Sequence, residues 1–135
     1  LAVSIRVGSR RARVLVVDDE PIALENMGFI LSREGYETDA APDGATALSL
    51  LEHGEYDLVV SDIRMPGASG YEVFAAAKAA DAGTAVVLVT AFGYDPGHSI
   101  VRAHREGLSG VLMKPFKVDQ LLDRCREALT ANDAS

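Results

Sequence analysis

VLVVDDEP, residues 14–21, runs four apolar residues straight into three carboxylates, Asp18, Asp19 and Glu20, and then into a proline. The apolar half is continuous, not alternating, which is the pattern of a strand covered on both faces, as in a parallel sheet. Pro21 falls where the first turn of a helix tolerates proline, and Gly35 follows as a stop, so residues 21–34 form a helix. The acids at the junction repel one another, and nothing beside them in the sequence neutralises them. They need a reason.

The same unit recurs along the chain. Further strands are expected at residues 36–41, 58–61, 86–90 and 110–113, after a first at 13–17. LVV and VVLV are again continuous apolar blocks, whereas Tyr36, Thr38 and Ala40 alternate with polar neighbours, as an edge strand does. Asp43 caps a second helix with Leu48 and Leu51 on its inner face, and Ser69 opens a third through FAAAKAA. Pro96 starts a fourth, and Val118 and Asp119 start a fifth, in which Leu121, Leu122, Cys125 and Leu129 recur at helical spacing. Five strand–helix units predict an α/β fold: a doubly wound, five-stranded parallel sheet with right-handed crossovers and helices on both faces. In such open sheets a ligand sits at the carboxyl ends of the strands.

Composition bounds what can sit there. The 135 residues fit one domain, 48% are hydrophobic, and 24% are charged, which describes a folded chain able to bury a core. A net charge of −7 argues against direct nucleic-acid binding or an anionic membrane partner, because phosphate neutralisation needs clustered Lys and Arg. Arg6, Arg10, Arg11 and Arg13 are a local exception, read as a solvated basic lead-in or residues left from cloning. The single cysteine, Cys125, forms no intrachain disulfide, which suits the cytoplasm, and is read as a small core residue. No apolar run reaches the ~20 residues that span a bilayer. The first residue is Leu, so the chain reads as a candidate piece of a longer polypeptide.

Each strand can then be read at its carboxyl end. The first ends at Asp18 and Asp19, the third at Asp62, the fourth at Thr90 and the fifth at Lys114. Three carboxylates held close do not all stay ionised without a compensating cation. Oxygen donors with no His or Cys beside them suit a hard ion, Mg²⁺ or Mn²⁺. Lys114 then acts as a point charge toward a phosphoryl group, and Thr90 donates to another phosphoryl oxygen. Asp62 stands alone on its strand end, so it is the expected nucleophile of an aspartyl phosphate, with Asp18 and Asp19 holding the metal beside it. The three histidines, His53, His98 and His104, have no carboxylate at metal spacing and are read as surface residues. Gly67 and Gly70 are read as turn residues.

VLVVDDEP, DLVVSDIRMPGASGYEV, VVLVTA and VLMKPF together resemble the receiver domains of two-component response regulators, over residues 13–130. The resemblance implies a flavodoxin-like sheet in the order 2-1-3-4-5 and a phosphoacceptor at Asp62. It also implies direct Mg²⁺ binding by Asp19, a largely water-mediated role for Asp18, and a third protein ligand in the backbone carbonyl of Arg64. Thr90 and Lys114 would contact the phosphoryl group, and Lys114–Pro115 would be cis. The implied donor is a sensor histidine kinase, a histidine phosphotransfer protein or a small phosphodonor. The implied output is a remodelled surface of the fourth helix, fifth strand and fifth helix, which could contact an output domain, a downstream protein or a second copy. On this division residues 1–12 are an N-terminal extension and residues 131–135 a polar tail. Such a domain promotes its own phosphorylation and dephosphorylation and turns over no external substrate.

The chain departs from the family pattern at Val111, three residues before Lys114, where a switch aromatic usually stands. Phe92 or Tyr94 is the expected substitute. A pseudo-receiver is the alternative reading, disfavoured because no member of the acid–Thr–Lys set is missing. A phosphohydrolase of the haloacid-dehalogenase type needs Asp-x-Asp, whereas Glu20 lies two after Asp18 and Pro21 two after Asp19. A flavodoxin needs a phosphate loop where this chain has DDEP. Arg64 and Phe92 stand two residues beyond Asp62 and Thr90, a cation and a ring placed to shield an aspartyl phosphate from water. Slow self-dephosphorylation is therefore expected. The lifetime of the phosphorylated domain, followed by intact mass, should shorten clearly in an Arg64→Ala, Phe92→Ala double variant; an unchanged lifetime removes the shielding role.

Overall fold

The computed structural model describes residues 6–7, 10–91 and 103–134. Two short strands, β1 (Arg6–Val7) and β2 (Arg10–Arg11), form an antiparallel pair ahead of the main sheet. Then follow β3 (Arg13–Val17), α1 (Pro21–Glu34), β4 (Glu37–Ala41), α2 (Gly44–His53), β5 (Leu58–Asp62), α3 (Gly70–Ala80) and β6 (Ala85–Ala91). A helical turn at 103–105 precedes β7 (Gly110–Lys114) and α4 (Val118–Ala134). The expected fourth helix, begun at Pro96, lies mostly outside the described residues. α4 runs to Ala134, through most of the stretch read as a polar tail.

The five longer strands form one parallel sheet in the order β4-β3-β5-β6-β7. Counted as strands of that sheet this is 2-1-3-4-5, the flavodoxin-like order, with 36–41 at one edge as its alternation suggested. Continuous apolar runs follow from having two covered faces, because successive side chains of one strand point opposite ways. Val14, Val16, Val60, Val87 and Val89 face Met27 and Leu31 of α1 and Leu121, Cys125 and Leu129 of α4. Leu15, Val17, Val59, Val86 and Leu88 face Ala47 and Leu51 of α2, Val73 and Phe74 of α3, and Ala103 and Leu108. Each such side chain contributes roughly 1.5–3 kcal/mol when fully buried, so β3, β5 and β6 have no alternative register that keeps their burial.

Local chemistry sets the helix ends. Glu20 accepts the Ala23 N–H at 2.6 Å as the cap of α1, and Gly35 ends that helix at φ 111°, a left-handed conformation that glycine takes without a Cβ clash. Asp43 caps α2 through Thr46, and Ser69 with Glu72 forms a reciprocal capping box on α3. At the open edge of the sheet, Arg124 of α4 donates from Nε to the Val111 carbonyl at 3.3 Å and lies along β7 beside Gly110.

Arg10 and Arg13 are not part of a solvated lead-in. Arg10 donates to both oxygens of Asp57, at 2.7 and 2.9 Å, and the Arg13 backbone N–H donates to the same carboxylate at 2.7 Å. The Arg13 guanidinium pairs with Asp39 at 2.9 Å, and the Tyr56 hydroxyl donates to that same Asp39 oxygen at 2.7 Å. Arg13 also lies over the Tyr56 ring, 5.1 Å from its centre. No charge pattern inside residues 6–13 could reveal these partners, which arrive from 26 to 47 positions away. Removing Asp57 leaves the half-buried Arg13 N–H without its acceptor and breaks the paired Arg10 contact. Asp57→Ala should therefore lower unfolding free energy by about 1–3 kcal/mol in urea titration, whereas a surface-only role predicts no change in midpoint.

Candidate functional site

The carboxyl ends of β3, β5 and β7 bring three acids and one cation together. Asp18 follows the last residue of β3 and is fully buried; its N–H donates to the Ala41 carbonyl at 3.3 Å, which ties it to the end of β4. One Asp18 oxygen accepts the Glu20 N–H at 2.9 Å and the other accepts Lys114 Nζ at 2.9 Å. Asp62 is the last residue of β5, with its side chain 13% exposed, and Lys114 Nζ lies 3.4 Å from its carboxylate. Asp19 is exposed at the same rim. Oxygens of Asp18, Asp19 and Asp62 all lie within 4.8 Å of one another.

Electrostatics follow from that crowding. Burial pushes the Asp62 carboxyl above its ordinary value, Lys114 pulls it back down, and Asp18 pushes it up again; the net direction is upward. Burial would lower the Lys114 ammonium, but its hydrogen bonds and charge contacts with Asp18 and Asp62 outweigh it, so Lys114 is held charged more firmly than usual. The three carboxyl groups outnumber the one ammonium bonded to two of them, so the cluster favours a further positive charge. The donor set is all oxygen, with no imidazole or thiolate in it. Asp18, Asp19 and Asp62 therefore fit a hard divalent cation such as Mg²⁺ in both charge and chemistry.

The remaining expected site residues are placed as follows. Thr90 lies in β6, one residue past Val89, the register partner of Asp62; it is 2% exposed and its hydroxyl donates to the Ala91 carbonyl at 3.3 Å. Arg64 is exposed on the loop after β5. The Lys114–Pro115 bond is cis. Val111 is partly buried and packs against the cluster beneath α2 and α3. Phe92, Tyr94 and His98 lie outside the described residues. His104 is exposed, and His53 bonds back to the Ser49 carbonyl within its own helix.

Glu20, next to Asp18 and Asp19 in sequence, caps α1, a role signalled by its place immediately before Pro21. Gly70 is not a turn residue: it is the first residue of α3, and a Cβ there would stand 2.4 Å from the Asp62 carbonyl oxygen. Sequence reasoning missed this close approach because only a neighbour distant in sequence creates it.

A doubly wound parallel sheet with an acidic cluster and a lysine on its carboxyl rim defines the class. The model of the response regulator receiver domain matches residues 14–126, and the chain belongs to that family. It is 35% identical over 123 residues to the DNA-binding response regulator MtrA of Mycolicibacterium smegmatis, covering 91% of this chain and 53% of that protein. It is 36% identical over 118 residues to the transcriptional regulatory protein GlrR of Escherichia coli, covering 87% of this chain and 26% of GlrR. The chain thus spans from about a quarter to about half the length of these curated relatives. A CheY-like receiver domain protein from Methanospirillum hungatei superposes with a TM-score of 0.84 at 29% identity, over 91% of this chain and 97% of that one. The receiver domain of an HD domain-containing protein from Pseudomonas fluorescens gives 0.83 at 31% identity, over 93% and 100%. Among the described residues no helix is long and apolar enough to cross a membrane.

The causes of the Asp62 shift have opposite signs and can be separated. In metal-free buffer, NMR titration should place Asp62 above an ordinary aspartate, higher still in Lys114→Met and lower in Asp18→Asn. A proton and a divalent cation compete for the same oxygens, so cation affinity should fall as pH drops through that raised value.

Proposed function

We propose that this domain is the phosphoacceptor switch of a two-component system, taking a phosphoryl group on Asp62 in the presence of Mg²⁺, with Mn²⁺ a working substitute. The observation that carries the reading is the cluster of Asp18, Asp19 and Asp62 oxygens within 4.8 Å, with Lys114 reaching two of the three. Asp19 and Asp62 would hold the ion directly, Asp18 largely through water, and the Arg64 backbone carbonyl would complete the protein ligands. The ion supplies the positive charge that lets an anionic donor approach an anionic nucleophile.

An Asp62 carboxylate oxygen attacks phosphorus while the bond from phosphorus to the donor nitrogen or oxygen breaks, its electron pair leaving on imidazole or acetate. Lys114, kept charged by its acid neighbours, turns from Asp62 toward the oxygens of the arriving group. Thr90 would turn its hydroxyl from the Ala91 carbonyl to a phosphoryl oxygen, and that movement would pass to the segment before β7, to β7 and to α4. In this scheme the domain acts on itself and turns over no external substrate. Arg64 and Phe92 would guard the product from water.

A groove beside the site supports a protein donor. It has a volume of about 530 Å³ and is lined by apolar Ala23, Met27 and Ile30 of α1 and by Pro115 and Phe116, together with Glu20, Asn26 and Lys114. Ile22 is exposed on the same helix. A helix carrying phosphohistidine, from a kinase or a histidine phosphotransfer protein, could seat its apolar face there and present its phosphorus to Asp62. The output, through an attached domain, a downstream protein or a second copy, would use the face of the segment before β7, β7 and α4. Action in the cytoplasm is consistent with a lone, buried Cys125.

With acetyl phosphate and Mg²⁺ the domain should gain one phosphoryl-group mass, and Asp62→Asn or chelation of the metal should abolish the gain. Equal labelling of Asp62→Asn ends the proposal. Ile22→Asp should slow transfer from a phosphohistidine kinase by about tenfold or more while leaving acetyl phosphate labelling intact.

A further inference from the structure

Residues 63–69, between Asp62 and α3, carry the Arg64 carbonyl and hold the nucleophile in place. Ile63 and Met65 anchor this loop in the core, and the Gly70 N–H closes it onto the Ile63 carbonyl at 2.8 Å. Its far side, Pro66 to Ser69, is exposed or half-buried. What meets that side is the first residue of α2. A Cβ built on Gly44 would stand 2.3 Å from the Ala68 carbonyl oxygen, 2.6 Å from Ala68 Cβ and 2.9 Å from its carbonyl carbon. Contacts under 3.0 Å are not sustained by real Cβ atoms, and two of these three atoms are backbone that cannot swing aside.

Gly44 is not required by its own dihedral angles. Among the described glycines only Gly35, Gly67 and Gly107 have positive φ, so position 44 would accept alanine locally. The demand is for room alone. α2 is held from behind by buried Ala47 and Leu51 and capped by Asp43, whereas the loop is anchored at Ile63, Met65 and Gly70 and its stretch from Pro66 to Ser69 is exposed or half-buried. A side chain at position 44 would therefore move the loop more than the helix. Gly70, packed so close that a Cβ on it would stand 2.4 Å from the Asp62 carbonyl oxygen, would carry that movement back to the nucleophile's backbone.

We propose that Gly44 is a positioning residue for the metal-dependent phosphorylation of Asp62: the bare backbone of the α2 N-terminus presses on Ala68 and fixes the loop that carries the Arg64 carbonyl and follows directly on Asp62. The inference rests on the phosphoacceptor reading, and its test is arranged so that the two fail differently. Mg²⁺ affinity is measured by calorimetry, with unfolding midpoints alongside, for the unaltered chain, Gly44→Ala and Gly28→Ala. Gly28 sits in α1 with nothing within 4 Å of its Cβ position, so its alanine variant reports helix stability alone.

Gly44→Ala should bind Mg²⁺ about tenfold more weakly, the size expected when a group supporting metal ligands is displaced. Its acetyl phosphate labelling should recover at saturating Mg²⁺, and its Arg64 and Gly67 amide resonances should shift. Gly28→Ala should keep the original affinity. Unchanged Mg²⁺ affinity in Gly44→Ala, whatever its midpoint, overturns the proposal. Should that variant not fold, Ala68→Gly removes the other half of the contact: weaker Mg²⁺ binding supports the role and unaltered binding overturns it. An unaltered chain that binds no Mg²⁺ defeats the phosphoacceptor reading itself, and this inference with it.

Discussion

A carboxylate with no solvent exposure has to be compensated, and in this fold Lys114 does it for Asp18 across 96 residues of chain at 2.9 Å. A buried ion pair of this kind is weak evidence for stability, because desolvation offsets much of the Coulomb attraction. Its value lies in geometry. Asp18 can be met by Lys114 only if β3 and β7 end on the same rim, with β5 and β6 between them. The parallel sheet makes that arrangement without any loop having to travel. Every group that converges there is the last residue of a strand or lies within two residues of it.

Much of this was legible beforehand, for an identifiable reason. Strands covered on both faces cannot hide polar residues in their interiors, so charges had to fall at their ends, and VLVVDD and LVVSD announce both the strand and its terminus. Helix boundaries were legible where local chemistry sets them: Pro21 with Gly35, Asp43, and Ser69 with Glu72. Strands came out one residue longer at several ends because pairing partners, not side-chain character, decide where a ladder stops.

What the sequence hid was everything made by two distant segments. The partners of Arg10 and Arg13 are hidden from the local sequence because Asp57 comes from just before β5 and Asp39 from the middle of β4. Gly70 looked like a turn residue because the Asp62 carbonyl that excludes its side chain is eight positions back, on the strand it packs over. Glu20 adjoins Asp18 and Asp19, yet one residue of backbone turns it from the rim to the head of α1. Tyr36 carries a similar lesson: its hydroxyl is buried with no hydrogen-bond partner among the described residues, near the buried Cys125, which no period of the sequence would predict.

The guanidinium of Arg124 resting on the Val111 carbonyl gives the last strand an occupied margin. A row of unsatisfied backbone groups invites another chain to extend the sheet, and a charged side chain laid along it discourages that. Any visitor to this flank would have to displace an arginine before borrowing the ladder. Recognition on this side of the molecule is thereby steered toward outward-facing side chains such as Met113 and Val118, and away from the main chain.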